Sequence, residues 1–318
     1  MNRLRNGYSC LPKTNPLPEI CIRYSAICIT RRSPPPVSLY HKITGMKSKV
    51  ILITGASRGF GKIWAEAFLK RGDKVIATAR NIDSLNDLVA AYGEAILPVI
   101  LDVNDREQCF TAVKQANEHF GSIDVLINNA GYGLFGAIEE TSEQEARDQI
   151  ETNVFGLLWM TQAVIPLMRE QGHGHIVQIS SVLGIAATPI LGIYNASKWA
   201  MEGLSESLAA EVKGFGIAVS IVEPHAFGTD WNNGSAVRTA SIGLYDGIKE
   251  ALNGYFKPEM LGDPEATSFA ILKLVDSEKP PLRLLLGKIA LSRVQQVYAD
   301  RLAVWDLWKE VSAEAHGH

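Results

Sequence analysis

Four consecutive apolar residues, Val50-Ile51-Leu52-Ile53, run into a glycine-rich turn, and apolar positions at helical spacing follow from Lys62 to Lys70. An unbroken apolar run of this length suits a strand buried on both faces. From Lys74 onward strand and helix patterns alternate in units of about 25 to 45 residues. Strands are predicted over 74–79, 95–101, 124–128, 175–180, 217–222 and 282–286, with helices over about 83–92 and 194–213. Asp105 is placed to cap a helix that stops at Gly121, and Thr141-Ser142-Glu143-Gln144-Glu145 reads as the start of a long helix reaching about Glu170, with a bend expected at Pro166. Alternating units of this kind predict an α/β fold, a single doubly wound parallel sheet of about seven strands with right-handed crossovers.

Composition sets outer bounds. With 318 residues, 47% hydrophobic and 20% charged, the chain can bury one large core. No uninterrupted apolar stretch reaches membrane-spanning length, and the net charge of −3 comes without basic blocks, so neither a membrane nor a nucleic-acid partner is expected. Cys10, Cys21, Cys28 and Cys109 have no metal-ligand spacing, no metal is expected, and a reducing, cytoplasmic location fits this usage best. Residues 1–45 stand apart: seven basic residues against the single acid Glu19 give about +6, leaving about −9 for the rest. With Pro34-Pro35-Pro36 and weak periodicity this segment reads as a poorly ordered extension or a targeting peptide, and Met46 as the expected start of the domain, residues 46–318.

The turn after the first strand reads Thr54-Gly55-Ala56-Ser57-Arg58-Gly59-Phe60-Gly61. Glycines bring backbone N–H groups close to an anion, and the following helix points its positive end at it, so the pyrophosphate of a dinucleotide is the expected guest. A nucleoside-triphosphate loop would need glycine at Ala56 and Ser or Thr at Ile63, and it is excluded on those letters. Arg80 follows the second strand where an NAD-preferring protein would offer an acid to the ribose 2′-hydroxyl. Together with Arg58 it favours NADP(H), with NAD(H) possible. Asp102, with Val103 beside it, ends the third strand and is read either as an acceptor for the adenine amino group or as a turn cap.

The candidate chemistry lies at Ser181, Tyr194 and Lys198. Tyr and Lys four apart share a helix face, and Ser181 ends a neighbouring strand. Carbonyl reduction needs a proton donor at the developing alkoxide; a phenol can serve if a nearby cation favours its phenolate, and a serine hydroxyl can hydrogen-bond the substrate oxygen.

The glycine order Gly-x-x-x-Gly-x-Gly, Asn128-Asn129-Ala130-Gly131, Ser181 thirteen residues before Tyr194, and Tyr194-Asn195-Ala196-Ser197-Lys198 together resemble the short-chain dehydrogenase/reductase family over about residues 48–230. The resemblance implies an NADP-preferring Rossmann-type oxidoreductase exchanging hydride with a carbonyl or alcohol, with Asn153, Ser181, Tyr194 and Lys198 catalytic. It implies cofactor contacts from Gly55, Ser57, Arg58, Gly59, Phe60, Gly61, Arg80, Asp102, Val103, Asn128, Ala130, Gly131, Tyr194, Lys198, Pro224 and Thr229. It also implies that Asn153 holds a water relaying protons from Lys198, and that the chain forms a homodimer or homotetramer. Where the family commonly shows Pro-Gly, this chain has Pro224-His225, and His225 reads either as a substrate contact or as a plain loop histidine. Phe227, Trp231, Tyr245, Tyr255 and Phe256 make residues 225–260 an expected substrate lid for an apolar or aromatic small molecule, and residues 289–315 a C-terminal helical segment. A nucleotide-sensing regulator without turnover is the alternative, with a methyltransferase-like protein further off.

Overall fold

The computed structural model describes residues 47–253 and 261–317. The expectations for the basic extension, for Met46 as a start, and for Tyr255 and Phe256 lie outside the described residues. Within them, β1 (Val50–Ile53) leads through the glycine turn into α1 (Gly59–Arg71), followed by β2 (Lys74–Ala79), α2 (Asn86–Tyr92) and β3 (Ile96–Ile100). Then come α3 (Arg106–Phe120), β4 (Val125–Asn128), a two-residue β5 (Leu134–Phe135), α4 (Glu143–Ile150) and α5 (Leu157–Gln171). β6 (Gly174–Ile179), α6 (Gly192–Val212) and β7 (Ile217–Pro224) complete the central units. A short β8 (Val237–Arg238), α7 (Asp246–Asn253), α8 (Thr267–Val275), β9 (Arg283–Leu286), α9 (Ala290–Leu307) and α10 (Lys309–Glu314) close the chain.

The sheet is parallel throughout, seven-stranded, in the order β3-β2-β1-β4-β6-β7-β9. Strand order reverses between β1 and β4, the crevice where ligands bind in open α/β sheets. Pro98 sits in β3, at the sheet edge, where its missing N–H costs least. Side chains along β1 alternate between two cores. Ile51 and Ile53 pack with Trp64, Phe68 and Ile271 on one face, whereas Val50 and Leu52 pack with Val113, Met160 and Val164 on the other.

Capping follows the letters closely at two helices. The Asp105 carboxylate accepts from Gln108 N, and Ser142 and Glu145 form a reciprocal capping box. The predicted long helix from Ser142 differs in one respect: a π-helical segment, Glu151–Gly156, separates α4 from α5, while Pro166 lies inside a continuous α5. The extra residue that makes a π segment leaves no mark on apolar spacing.

At the N-terminal ends of the strands an ion cluster fastens three elements. Arg71, at the end of α1, bonds Asp73 and Asp276 at 2.6 Å each, and Lys49 reaches Asp276 at 2.8 Å while its backbone N–H donates to Asp73. The C-terminal ends, on the opposite side, open into a cleft.

Candidate active site

The cleft has a volume of about 1460 Å³, above the range of about 300–1,000 Å³ usual for small-ligand pockets and roomy enough for a dinucleotide with a substrate. One end is built by the glycine turn. Gly55 and Gly59 take φ of +68° and +55°, the left-handed region that suits glycine. A Cβ on Gly55 would stand 3.0 Å from Ala130 Cα, so β1 and β4 meet there with no room for a side chain. Arg58 precedes α1 without a side-chain cap, and no acid lies in the first turn, so the helix presents open backbone donors at its positive end. An anion fits that donor set. Ser57, Arg58, Gly59, Phe60, Arg80, Asp102, Val103, Ala130 and Gly131 all line the cleft, with Pro224 and Thr229 across from the turn.

Two expected cofactor contacts, Gly61 and Asn128, and the expected catalytic Asn153 sit behind this lining. Gly61 packs against Gly55 O and Asn129, where a Cβ would collide, so it sets the spacing of helix and strand. Asn128 is buried, donating to Gln178 at 2.9 Å and Thr161 at 3.1 Å, and ties β4 to β6 and α5. Asn153 lies in the π segment: its Oδ1 accepts from Tyr132 N at 3.1 Å, and its Nδ2 donates to Tyr132 O at 3.0 Å and Ser197 Oγ at 3.1 Å. A Cβ on Gly131 would stand 3.0 Å from Asn153 Oδ1 and 4.0 Å from Lys198 Nζ, so amide and ammonium both lie close beside this glycine.

Ser181, Tyr194 and Lys198 converge on the cleft from the end of β6 and the first turns of α6. The Ser181 hydroxyl accepts from Leu183 N at 3.1 Å and lies against the Tyr194 phenol. Lys198 Nζ donates to Ile179 O at 2.7 Å and stands 5.7 Å from the centroid of the Tyr194 ring. Burial pushes the Tyr194 phenol above its ordinary range, against the pull of Ser181, so the resting group is a neutral O–H donor. Burial also draws the Lys198 ammonium down to about 8, while Glu202 pushes it upward.

The outer chamber is apolar. Trp231 packs its ring 5.2 Å from that of Tyr194 and 5.4 Å from that of Phe135, over Gly133, where any Cβ would strike it. Val182, Leu183, Leu191, Ile248 and Leu252 add to this wall. The wall from 241 to 249 is fastened below: Lys249 Nζ bonds Glu140 at 2.6 Å and Tyr245 donates to Glu139. His225 also lines the cleft, its N–H donating to Leu286 O at 2.9 Å, with burial and the nearby Arg293 charge holding its imidazole below the usual range.

Two parts of this wall left no signal in the letters. Ile190 has φ +66°, a strained backbone for a β-branched residue, and its carbonyl accepts from Gly136 N at 2.8 Å beside the lining residues Pro189 and Leu191. Arg293, far along the chain in α9, lines the cleft and bonds Thr188. Among the described residues no group of His, Cys, Asp and Glu is placed to hold a metal, and no helix is long and apolar enough to cross a membrane.

A doubly wound sheet whose switch point opens beside a converged serine, tyrosine and lysine defines the class of dinucleotide-dependent oxidoreductases. Comparison with known proteins narrows this. The model of the short chain dehydrogenase family matches residues 49–238. The chain is 39% identical to oxidoreductase BOA17 of Botryotinia fuckeliana, over 83% of this chain and 98% of that protein. It is also 39% identical to 3-ketodihydrosphingosine reductase of Bacteroides thetaiotaomicron, over 77% and 90%. A crystal structure of a short-chain dehydrogenase from Streptomyces avermitilis superposes with a TM-score of 0.79 at 41% identity, over 85% of this chain and 99% of that one. Two further similar structures carry cofactor. One from Burkholderia cenocepacia holds NADP (28% identity, TM-score 0.67, 82% and 97% covered), and one from Burkholderia phymatum holds NAD (25%, 0.69, 78% and 92%). The chain belongs to the short-chain dehydrogenase/reductase family. It is an oxidoreductase acting on CH–OH or C=O groups with a nicotinamide cofactor.

Proposed function

We propose that the protein is an NADP(H)-preferring enzyme that interconverts a carbonyl and an alcohol on a predominantly apolar small molecule. The observation that carries this reading is the meeting of Tyr194, Ser181 and Lys198 in the same cleft as the glycine turn and two arginines. A nicotinamide cofactor held by the glycine turn would supply or take the hydride at the substrate carbon. Tyr194, a neutral donor in its buried setting, passes its proton to the oxygen in reduction and recovers it in oxidation. Ser181 bonds that oxygen, and Lys198 stabilises the phenolate that Tyr194 leaves behind. Asn153 steadies the backbone at Tyr132 beside Lys198, in keeping with a supporting place in proton transfer.

Arg80, exposed at the end of β2, and Arg58 in the turn supply positive charge where a 2′-phosphate would lie, and no acid stands at Arg80 to repel it. The wall of Trp231, Phe135, Leu183 and Leu252 favours an apolar substrate under a lid that includes 225–253. A relative named as a reductase of a keto compound agrees with this direction. Screening aromatic and long-chain ketones and aldehydes by NADPH absorbance tests the proposal. Turnover with NADPH is expected, and Tyr194→Phe should still bind NADPH while kcat falls at least ~10²-fold, the usual range for a proton donor. Wild-type turnover in Tyr194→Phe would overturn the assignment.

A further inference from the structure

Behind the reacting groups lies a buried cluster of charge that the proton-transfer scheme has not used. Glu202 follows Lys198 by one turn of α6 and is 5% exposed; Glu223, in β7 next to Pro224, is 1% exposed. Both accept from NH1 of Arg283 in β9, whose NH2 bonds the exposed Glu206 at 2.8 Å. The other Glu202 oxygen is enclosed beside the Ser180 hydroxyl, where a Cβ on Gly184 would stand 2.7 Å from each. The residues on either side of Ser180 touch the reacting set: Ile179 O accepts from Lys198 Nζ, and Ser181 carries the hydroxyl that lies against Tyr194.

The arrangement is unusual for a plain staple. One arginine paired with one buried acid would hold β7, β9 and α6 together, and apolar packing often does so as well or better. A second buried carboxylate adds a desolvation penalty and repulsion that a staple does not need. Glu202 also shares a face of α6 with Lys198, one turn away, and its second oxygen lies beside Ser180, the neighbour of the carbonyl that holds the Lys198 ammonium. The charged and titratable groups facing Glu202 are Lys198 and Glu206 on its own helix, Glu223 on β7 and Arg283 on β9, with the Ser180 hydroxyl from the end of β6.

We propose that Glu202 is a positioning residue that acts through Lys198: its carboxylate, anchored by Arg283 beside Glu223, keeps the Lys198 ammonium charged and in place next to Tyr194. This rests on the reading of Lys198 as part of the catalytic set. Burial draws the Lys198 ammonium down to about 8, and the Glu202 charge opposes that fall. Burial and the neighbouring Glu202 charge raise Glu223 to about 7; burial raises the Glu202 carboxyl as well, while Ser180, Arg283 and Lys198 draw it back toward the anion.

The test is the pH profile of kcat/KM for carbonyl reduction in the full-length enzyme, with NADPH binding and thermal melting recorded alongside. Wild type should lose activity as pH rises through Lys198 deprotonation. Glu202→Gln should bind NADPH and move that alkaline limb to lower pH by about one unit, a roughly tenfold loss on the limb itself. Glu202→Asp keeps the charge, and its limb should stay where the wild-type limb lies. A Glu202→Gln limb that superposes on wild type overturns the proposal. A Glu202→Asp limb displaced as far as expected for Gln also does so, and that arm decides alone if the Gln variant does not fold. Lys198→Met separates the two levels of argument: full turnover in that variant removes Lys198 itself, whereas loss of turnover with an unmoved Glu202→Gln limb removes only the role of Glu202.

Discussion

The proposed preference for NADP(H) rests at the residue scale on Arg80, at the end of β2. On that proposal its charge attracts a 2′-phosphate, so Arg80→Asp replaces attraction by repulsion. The ratio of kcat/KM for NADPH over NADH should fall at least ~10-fold, about 1.4 kcal/mol, and steady-state kinetics with both cofactors reads it. An unchanged ratio would remove Arg80 from the phosphate site. The polar residues of this region were legible because their chemistry restricts them to few letters: a phenol, an ammonium four residues on, a hydroxyl at a strand end. Asn128 and Gly61 were legible as important but not in their manner of acting, since tying strands together and lining a ligand select the same small or amide-bearing residues. The strain at Ile190 and the reach of Arg293 were not legible at all. Backbone sign is invisible in a β-branched residue, and the pairing of Arg293 with Thr188 spans 105 positions.

Among the elements, the π segment Glu151–Gly156 shows where periodicity runs out. The pattern of apolar positions places a bend at Pro166, yet the helix changes its winding fifteen residues earlier, at Glu151, where Asn153 turns inward to Tyr132 and Ser197. Gly156, which ends the segment, leaves no space for a side chain: a Cβ would stand 2.7 Å from Val103 Cγ2 and 3.2 Å from Val103 O. Because Val103 lines the cleft, Gly156→Ala should both destabilise the fold by about 1–3 kcal/mol, as overpacking does, and raise the KM for cofactor. Urea midpoints and cofactor titration check the two halves separately. Strands were easier to read than this helix. Buried parallel strands announce themselves as short apolar runs, and even the last, β9, shows as Leu284-Leu285-Leu286.

Across the whole molecule, pH bears on stability through groups remote from the cleft. His175 is buried in β6, its Nε2 3.0 Å from Ser220 Oγ, and that hydroxyl donates onward to Pro281 O at 2.7 Å. The hydroxyl therefore accepts from the imidazole, which fixes the neutral ring with its proton on Nε2. Burial holds this ring at about 4 against an ordinary 6.5. A base lowered in the folded state contributes stability that is complete above pH 6.5 and is lost as pH falls toward 4, because the unfolded chain takes up the proton first. The loss from this one group is on the order of 3 kcal/mol. His175→Asn should flatten the fall in unfolding free energy between pH 6.5 and 4; an equally steep fall in that variant would place the acid sensitivity elsewhere.

The ion cluster of Lys49, Arg71, Asp73 and Asp276 closes the sheet at the pole opposite the chemistry. The same strands are thus fastened by charge at one end and left open at the other. A change among these four ion-pairing residues can be made without touching any residue that lines the cleft, so heat resistance can be tuned there apart from substrate choice.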